Sequence, residues 1–192
     1  MKHFVVLICC ILTLSSMGQD KLPYYEITEN YEEYTAGTVT ARMLDGLGFR
    51  FYWATEGITE KELSYKASEE GRTYLETVRH ILGLSRIVVN SALKQPNDNA
   101  IQYPELSYDE MRAEILNNVK TASDILKAET DLNEFNIVFK SEKGDRVIPF
   151  WNNINGPIED AVWHCGQLVV LRRAAGNPML SKPSFFNGKV RN

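Results

Sequence analysis

The stretch IEDAVWHCGQL, residues 158–168, carries side chains whose types and spacing could support chemistry. Asp160 and His164 stand four positions apart, so both face the same side of a helix. Much earlier in the chain, His80 lies in line with Thr77 and Leu84 on another predicted helix. Imidazole and carboxylate groups are common ligands of zinc, nickel and iron. If the two helices face each other, His80, Asp160 and His164 could bind one divalent metal ion.

Three protein ligands would leave coordination positions open, and water bound at such a position loses a proton more easily than free water. Spacing alone leaves other interpretations open. A histidine on an apolar face is often a satisfied core residue, and Asp160 with His164 could be a simple hydrogen-bonded pair. Cys165 could act as a nucleophile, although a small buried cysteine is the usual finding.

Several neighbours of these residues could support a site. Gln167, one turn after His164, could orient a ligand, and Glu76, one turn before His80, could contact that histidine. Glu76 also completes a capping pattern with Thr73, and we favour that role. Trp151 and Trp163 could line a pocket, although Trp usually belongs to a core or an interface.

The hydrophobic periodicity predicts four amphipathic helices, typical of an all-α four-helix bundle. Capping boxes mark the starts of the second and third helices. A small hairpin around Lys143-Gly144-Asp145 is possible before the last helix. The predicted helices are Thr35 to about Glu56, Thr73 to about Leu93, Ser107 to about Lys127, and about Pro157 to Ala175.

The N-terminus has the layout of a secretory signal peptide, with Lys2, a short apolar run and small residues before a cut near Gly18. We expect a signal peptide over residues 1–19 and one domain over 20–192, periplasmic or extracellular, with no stable membrane insertion after cleavage. Cys9 and Cys10 raise the alternative of a lipoprotein, and a buried N-terminal helix is another. Cleavage removes one lysine and changes the net charge from −4 to −5. The acidic balance and scattered basic residues argue against a nucleic-acid partner.

The chain resembles the DinB/YfiT-like superfamily of metalloenzymes, four-helix bundles common in bacteria. The resemblance covers about residues 35–177. It depends on YLETVRHILGLSR, where His80 matches the family's first histidine, and on DAVWHCGQLVVLRR, where His164 matches a later histidine followed by Gly-Gln. The family usually has histidine where this chain has Asp160. The neighbouring Glu159 fits the motif less well. The resemblance implies a divalent ion, above all zinc or nickel, with iron or manganese as alternatives.

The resemblance implies several activities and leaves the question of catalysis open. Members of the family are described as thiol S-transferases or as hydrolases, and many have no known activity. An exported chain fits thiol transfer poorly, which favours a metal-dependent hydrolase acting on an unknown small molecule. One alternative is a non-catalytic bundle that binds a small ligand or a partner. Another is a homodimer formed through the aromatic residues of the first helix, Phe49, Tyr52 and Trp53.

Overall fold

The computed structural model describes residues 21–191, so the expected signal peptide lies outside the described residues. The fold is helix-rich, with a few short strands. Within the described residues, no helix is long and apolar enough to cross a membrane. The elements are α1 (Ala36–Thr55), α2 (Glu60–Leu63), α3 (Tyr74–Ala92), α4 (Tyr108–Leu126), β1 (Ile137–Phe139), β2 (Arg146–Ile148), α5 (Trp151–Asn153), a kinked turn (Ile154–Ile158), α6 (Glu159–Ala174), β3 (Pro183–Ser184) and β4 (Lys189–Val190).

The four long helices pack around a common core, and α1 and α3 each contact both α4 and α6. Helices α1 and α4 are antiparallel, because Arg112 bonds to Thr55 while Ser123 bonds to Ala41. Helices α3 and α6 are also antiparallel. Helix α6 is parallel to α1, since Arg172 near its end donates to the carbonyls of Trp53 and Ala54. One pair of helices therefore runs opposite to the other pair.

The helix starts follow their predicted caps. The hydroxyl of Thr73 accepts the N–H of Glu76 at 3.1 Å, and the Glu76 carboxylate accepts the N–H of Thr73 at 2.7 Å. Ser107 and Glu110 form the same box. The predicted apolar stripe of α4 is buried throughout, from Met111 to Leu126. The predicted hairpin is present as the antiparallel pair β1–β2.

Two local predictions were wrong. The connector after α1 contains the short helix α2, whose Thr59–Glu62 box was overlooked. The stripe expected to point inward on α3, which includes Leu84 and Ile87, is only half-buried for the most part. The core face of α3 is centred on Tyr74, Val78, Ile81, Ser85 and Val88. The predicted start of the last helix near Pro157 agrees with a kink at Gly156, whose φ of −101° and ψ of −107° are not helical; a short helix over Trp151–Asn153 precedes that kink.

The aromatic residues of α1 are buried inside the chain and do not form an exposed face. Phe49, Tyr52 and Trp53 are 1%, 8% and 3% exposed. The segment before α1 and the β3–β4 hairpin cover them: Tyr25 packs on Trp53, and Phe185 packs on Phe49 with ring centroids 5.4 Å apart. Their area is therefore unavailable for the dimer interface that the sequence suggested.

A close approach over α1 depends on Gly48. A Cβ at this position would lie 2.3 Å from the ring of Tyr24, so any side chain would displace that ring. The Tyr24 hydroxyl donates to the buried carboxylate of Asp45, which also accepts hydrogen bonds from Tyr31 and Ser123. These contacts hold the segment before α1 against the helices.

Candidate metal centre

His80, Asp160 and His164 converge at the interface between α3 and α6. The Nε2 of His80 lies 3.1 Å from Oδ2 of Asp160, and the Nε2 of His164 lies 3.3 Å from Oδ1. The two imidazole rings meet edge to face, with centroids 4.6 Å apart. One carboxylate therefore lies between two imidazole nitrogens, as the helical spacing and the facing of the two helices predicted.

Two anchors fix α6 at the height that brings these residues together. At its start, Asn153 donates from Nδ2 to Ser91 at 2.6 Å, which ties the preceding turn to the end of α3. At its end, the buried Arg172 binds the last carbonyls of α1, where its positive charge also complements the helix dipole. Because α3 and α6 are antiparallel, these constraints bring the start of α6 beside His80.

A kink at Gly156, whose φ of −101° and ψ of −107° are not helical, separates the short helix α5 from α6. The direction of α6 relative to Trp151–Asn153 is therefore set by the backbone at this kink. Asp160 follows in the first turn of α6.

Gln167 holds His164 in one orientation. Its Oε1 lies 2.8 Å from Nδ1 of His164, so Nδ1–H is the donor in this contact. A neutral His164 then presents an unprotonated Nε2 to the Asp160 carboxylate. Two lone pairs facing each other repel, and either a proton or a metal cation between them removes the repulsion. The predicted supporting role of Gln167 thus has a defined geometry.

The separations suit a single metal ion after a small adjustment. Donor atoms that share one tetrahedral zinc ion lie about 3.3–3.6 Å apart. Both contacts of Asp160 are close to that range, and one donor atom from each of the three residues lies within 4.8 Å of the others. An approach of about 1 Å between the most distant donors would complete the set. His80, Asp160 and His164 could therefore hold a metal ion.

Exposure increases across the three side chains, from 11% for His164 through 31% for His80 to 43% for Asp160. The set is therefore anchored on its His164 side and open to solvent on its Asp160 side. Open sides of this kind leave room for a further ligand.

Two other candidates have different roles. The Glu76 carboxylate is engaged in the capping box, where the N–H and the side chain of Thr73 lower its pKa. Burial raises the pKa of the Cys165 thiol to about 12, so a thiolate is strongly disfavoured at neutral pH. The interpretation of Cys165 as a nucleophile is therefore not supported.

Two cavities border the site. One, of about 630 Å³, contains His80 and Arg79, and the other, of about 780 Å³, contains His164 and Trp163. Arg72 lines both. The sequence did not indicate Arg72, because it belongs to a connector whose irregular pattern says nothing of where a side chain lies. Trp163 lines a pocket as suggested.

A more enclosed cavity, of about 390 Å³, lies elsewhere and contains none of the three residues. Its walls come from the segments 34–40, 131–136 and 149–154, and include Trp151. Asp131 is its one acidic residue, and it has no basic residue or histidine. The chemistry of the described residues therefore points to the α3–α6 interface and not to this smaller, more enclosed apolar cavity.

No family model, no curated protein and no solved structure matches the chain.

Proposed function

We propose that the chain is an exported four-helix bundle of the DinB/YfiT-like type that binds one divalent metal ion and hydrolyses a small molecule. The observation that carries the proposal is the convergence of His80, Asp160 and His164 beside two cavities. Two histidines with one carboxylate are a ligand set of catalytic zinc sites and of non-haem iron sites.

The packing supports a bundle-type fold. Four long helices each contact two others, with one pair antiparallel to the other. The order of the elements agrees with the resemblance, which places one ligand on the second long helix and two on the last. A carboxylate in place of the family's usual histidine adds a negative charge to the set. We therefore expect a site that prefers zinc or nickel, with iron or manganese able to bind.

The residues of the chain divide the work of such a site. When bound, a divalent ion supplies Lewis acidity and favours ionisation of water at neutral pH. Gln167 keeps His164 in the tautomer that presents Nε2. Trp163 and Arg72 border the space in which a substrate would lie. The buried packing behind His164 excludes water from one side of the site.

The proposal is tested by a hydrolysis screen on the mature protein loaded with zinc or nickel. The panel contains aryl esters, N-acyl amino acids and phosphate monoesters, and a thiol-transfer assay runs beside it. We expect turnover of one hydrolytic class that disappears in His164→Ala and persists in Glu159→Ala. Glu159 is a matched control because it is an exposed acid beside Asp160.

Other results would favour another function. Turnover only in the thiol-transfer assay would replace hydrolysis by S-transfer. A metal-loaded protein without turnover of any class would favour a non-catalytic ligand-binding role.

Export rests on the sequence of residues 1–19. We expect the protein recovered from the medium or periplasm of an expressing bacterium to begin near Gln19 or Asp20. Intact full-length chain in the cytoplasm, as determined by N-terminal sequencing of cell fractions, would contradict export.

A further inference from the structure

The cavity on the His164 side has an apolar wall formed by the outer face of α6. Trp163 is 73% exposed and Val170 is 60% exposed, so both side chains present apolar area to this cavity. Gly166 lies between them, and a Cβ there would meet no atom within 4 Å. The glycine therefore leaves a shallow floor next to the Trp163 ring. Such a surface suits an aromatic or aliphatic group of a ligand.

The cavity on the His80 side is lined by charged residues instead. Three basic and three acidic residues border it: Lys66, Arg72, Arg79, Glu69, Glu70 and Glu76. Some of these groups are already engaged, since Glu76 accepts the N–H of Thr73 and Lys66 donates to the carbonyl of Glu69.

Arg72 differs from the other five residues because it lines both cavities. Within residues 21–191, its guanidinium forms no ion pair or hydrogen bond with another residue. A guanidinium binds a carboxylate through two parallel hydrogen bonds. Arg72 is thus placed to bind an anionic group of a molecule whose apolar part lies on Trp163.

We propose that the ligand of this site is a carboxylic acid that carries an apolar group through an amide or ester bond. Its carboxylate pairs with Arg72, its apolar group lies on Trp163 and Val170, and the amide or ester faces His80, Asp160 and His164. In hydrolysis, the bond from the acyl carbon to nitrogen or oxygen breaks. Water supplies a hydroxyl to that carbon and a proton to the leaving atom. This inference rests on the proposed function.

The test is calorimetric binding of N-benzoylglycine to the mature protein incubated with zinc, beside its neutral amide, N-benzoylglycinamide. We expect the acid to bind about tenfold more tightly than the amide, because only the acid forms the charged pair. Arg72→Gln should abolish that preference. Trp163→Ala should weaken both ligands about tenfold. Arg173→Gln is the matched control, an exposed arginine of α6 that lines neither cavity.

The outcomes separate this inference from the proposed function, because zinc content is measured on the same samples. Equal binding of acid and amide, or binding of neither, would overturn the inference even with one equivalent of zinc present. Absence of zinc would overturn the proposed function instead. The dependence of binding on Arg72 and Trp163 would then be measured on metal-free protein, where its loss would overturn the inference as well.

Discussion

His164 is the most constrained of the three candidate ligands, and Gln167 is the reason. With Nδ1 held at 2.8 Å from Gln167, the ring cannot rotate without losing a hydrogen bond in a largely buried position. Asp160 then meets Nε2 rather than Nδ1. A fixed tautomer is a common feature of metal-binding histidines, whose second nitrogen is held by an acceptor.

We expect Gln167→Leu to weaken zinc binding about 10- to 100-fold, because it removes the acceptor that orients His164. The measurement is competition against a chromophoric chelator. Gln167→Glu keeps an acceptor and should restore most of the affinity. Equal affinities in the parent and the leucine variant would show that Gln167 does not orient the ligand.

Glu76 provides a contrasting case one turn before His80. Thr73→Ala should lower the free energy of unfolding by about 1 kcal/mol, because α3 loses its cap. Glu76→Gln preserves the capping pattern, which accepts either residue. It should leave zinc affinity within about twofold of the parent, since capping requires no charge on this side chain. Denaturant unfolding and the chelator competition measure the two effects. A large loss of zinc affinity in Glu76→Gln would show that its charge acts on the site.

The short helix α2 holds a second acid with a structural role, Glu62. Glu62 accepts hydrogen bonds from the N–H and hydroxyl of Thr59, and from Asn177 after α6. These bonds, above all the one from the Thr59 hydroxyl, lower the pKa of Glu62 to about 2. The connector that carries Arg72 is thereby tied to the end of α6.

The Glu62 carboxylate makes the free energy of unfolding depend on pH in the acidic range. The pKa of an unfolded Glu is about 4.3, whereas the pKa of Glu62 in the fold is about 2. Folding therefore favours the ionised carboxylate. Its contribution to stability is complete above about pH 5 and is lost as the pH falls toward 2. Glu62→Gln should be less stable than the parent at pH 7, and the difference should shrink at pH 3. Urea unfolding at the two pH values measures it, with Glu60→Gln as control. A difference that does not change with pH would contradict this account.

The predictability of the elements followed the strength of their local signals. The caps at Thr73 and Ser107 and the stripe of α4 could be recognised because each depends only on residue types at fixed spacings within one helix. The short helix Trp151–Asn153 could not, because three residues are too few to show a helical period. The edge location of His80 was missed because Leu84 and Ile87 resemble a core stripe, whereas the fully buried stripe runs through Tyr74 and Val78.

The three candidate ligands His80, Asp160 and His164 were predicted together from the sequence, but the surface around them in the folded molecule was not. A spacing of four residues places Asp160 beside His164 on any helix, and the resemblance pairs them with His80. The position of Arg72 and the shape of the cavities depend on how the connector folds over α3 and α6. No local sequence pattern predicts that folding. The same holds for the aromatic residues of α1, whose covering comes from both ends of the described chain.

The burial of Phe49 leads to a prediction about association. Phe49→Leu should lower the free energy of unfolding by about 1–3 kcal/mol, because it removes contacts in a packed interior. It should not change the oligomeric state, since the side chain is not on the surface. Denaturant unfolding and light scattering measure the two quantities. A halved mass at unchanged stability would place Phe49 in a dimer interface, as the sequence first suggested.

Whether His80, Asp160 and His164 bind a metal ion is decided by the metal content of the purified protein, measured by mass spectrometry after incubation with zinc or nickel. The parent should hold about one equivalent, which His80→Ala, Asp160→Ala and His164→Ala should each lose while Glu159→Ala keeps it. That pattern would establish Asp160 as a ligand beside the two histidines. A parent without metal, or an Asp160→Ala variant that holds as much as the parent, would contradict the account.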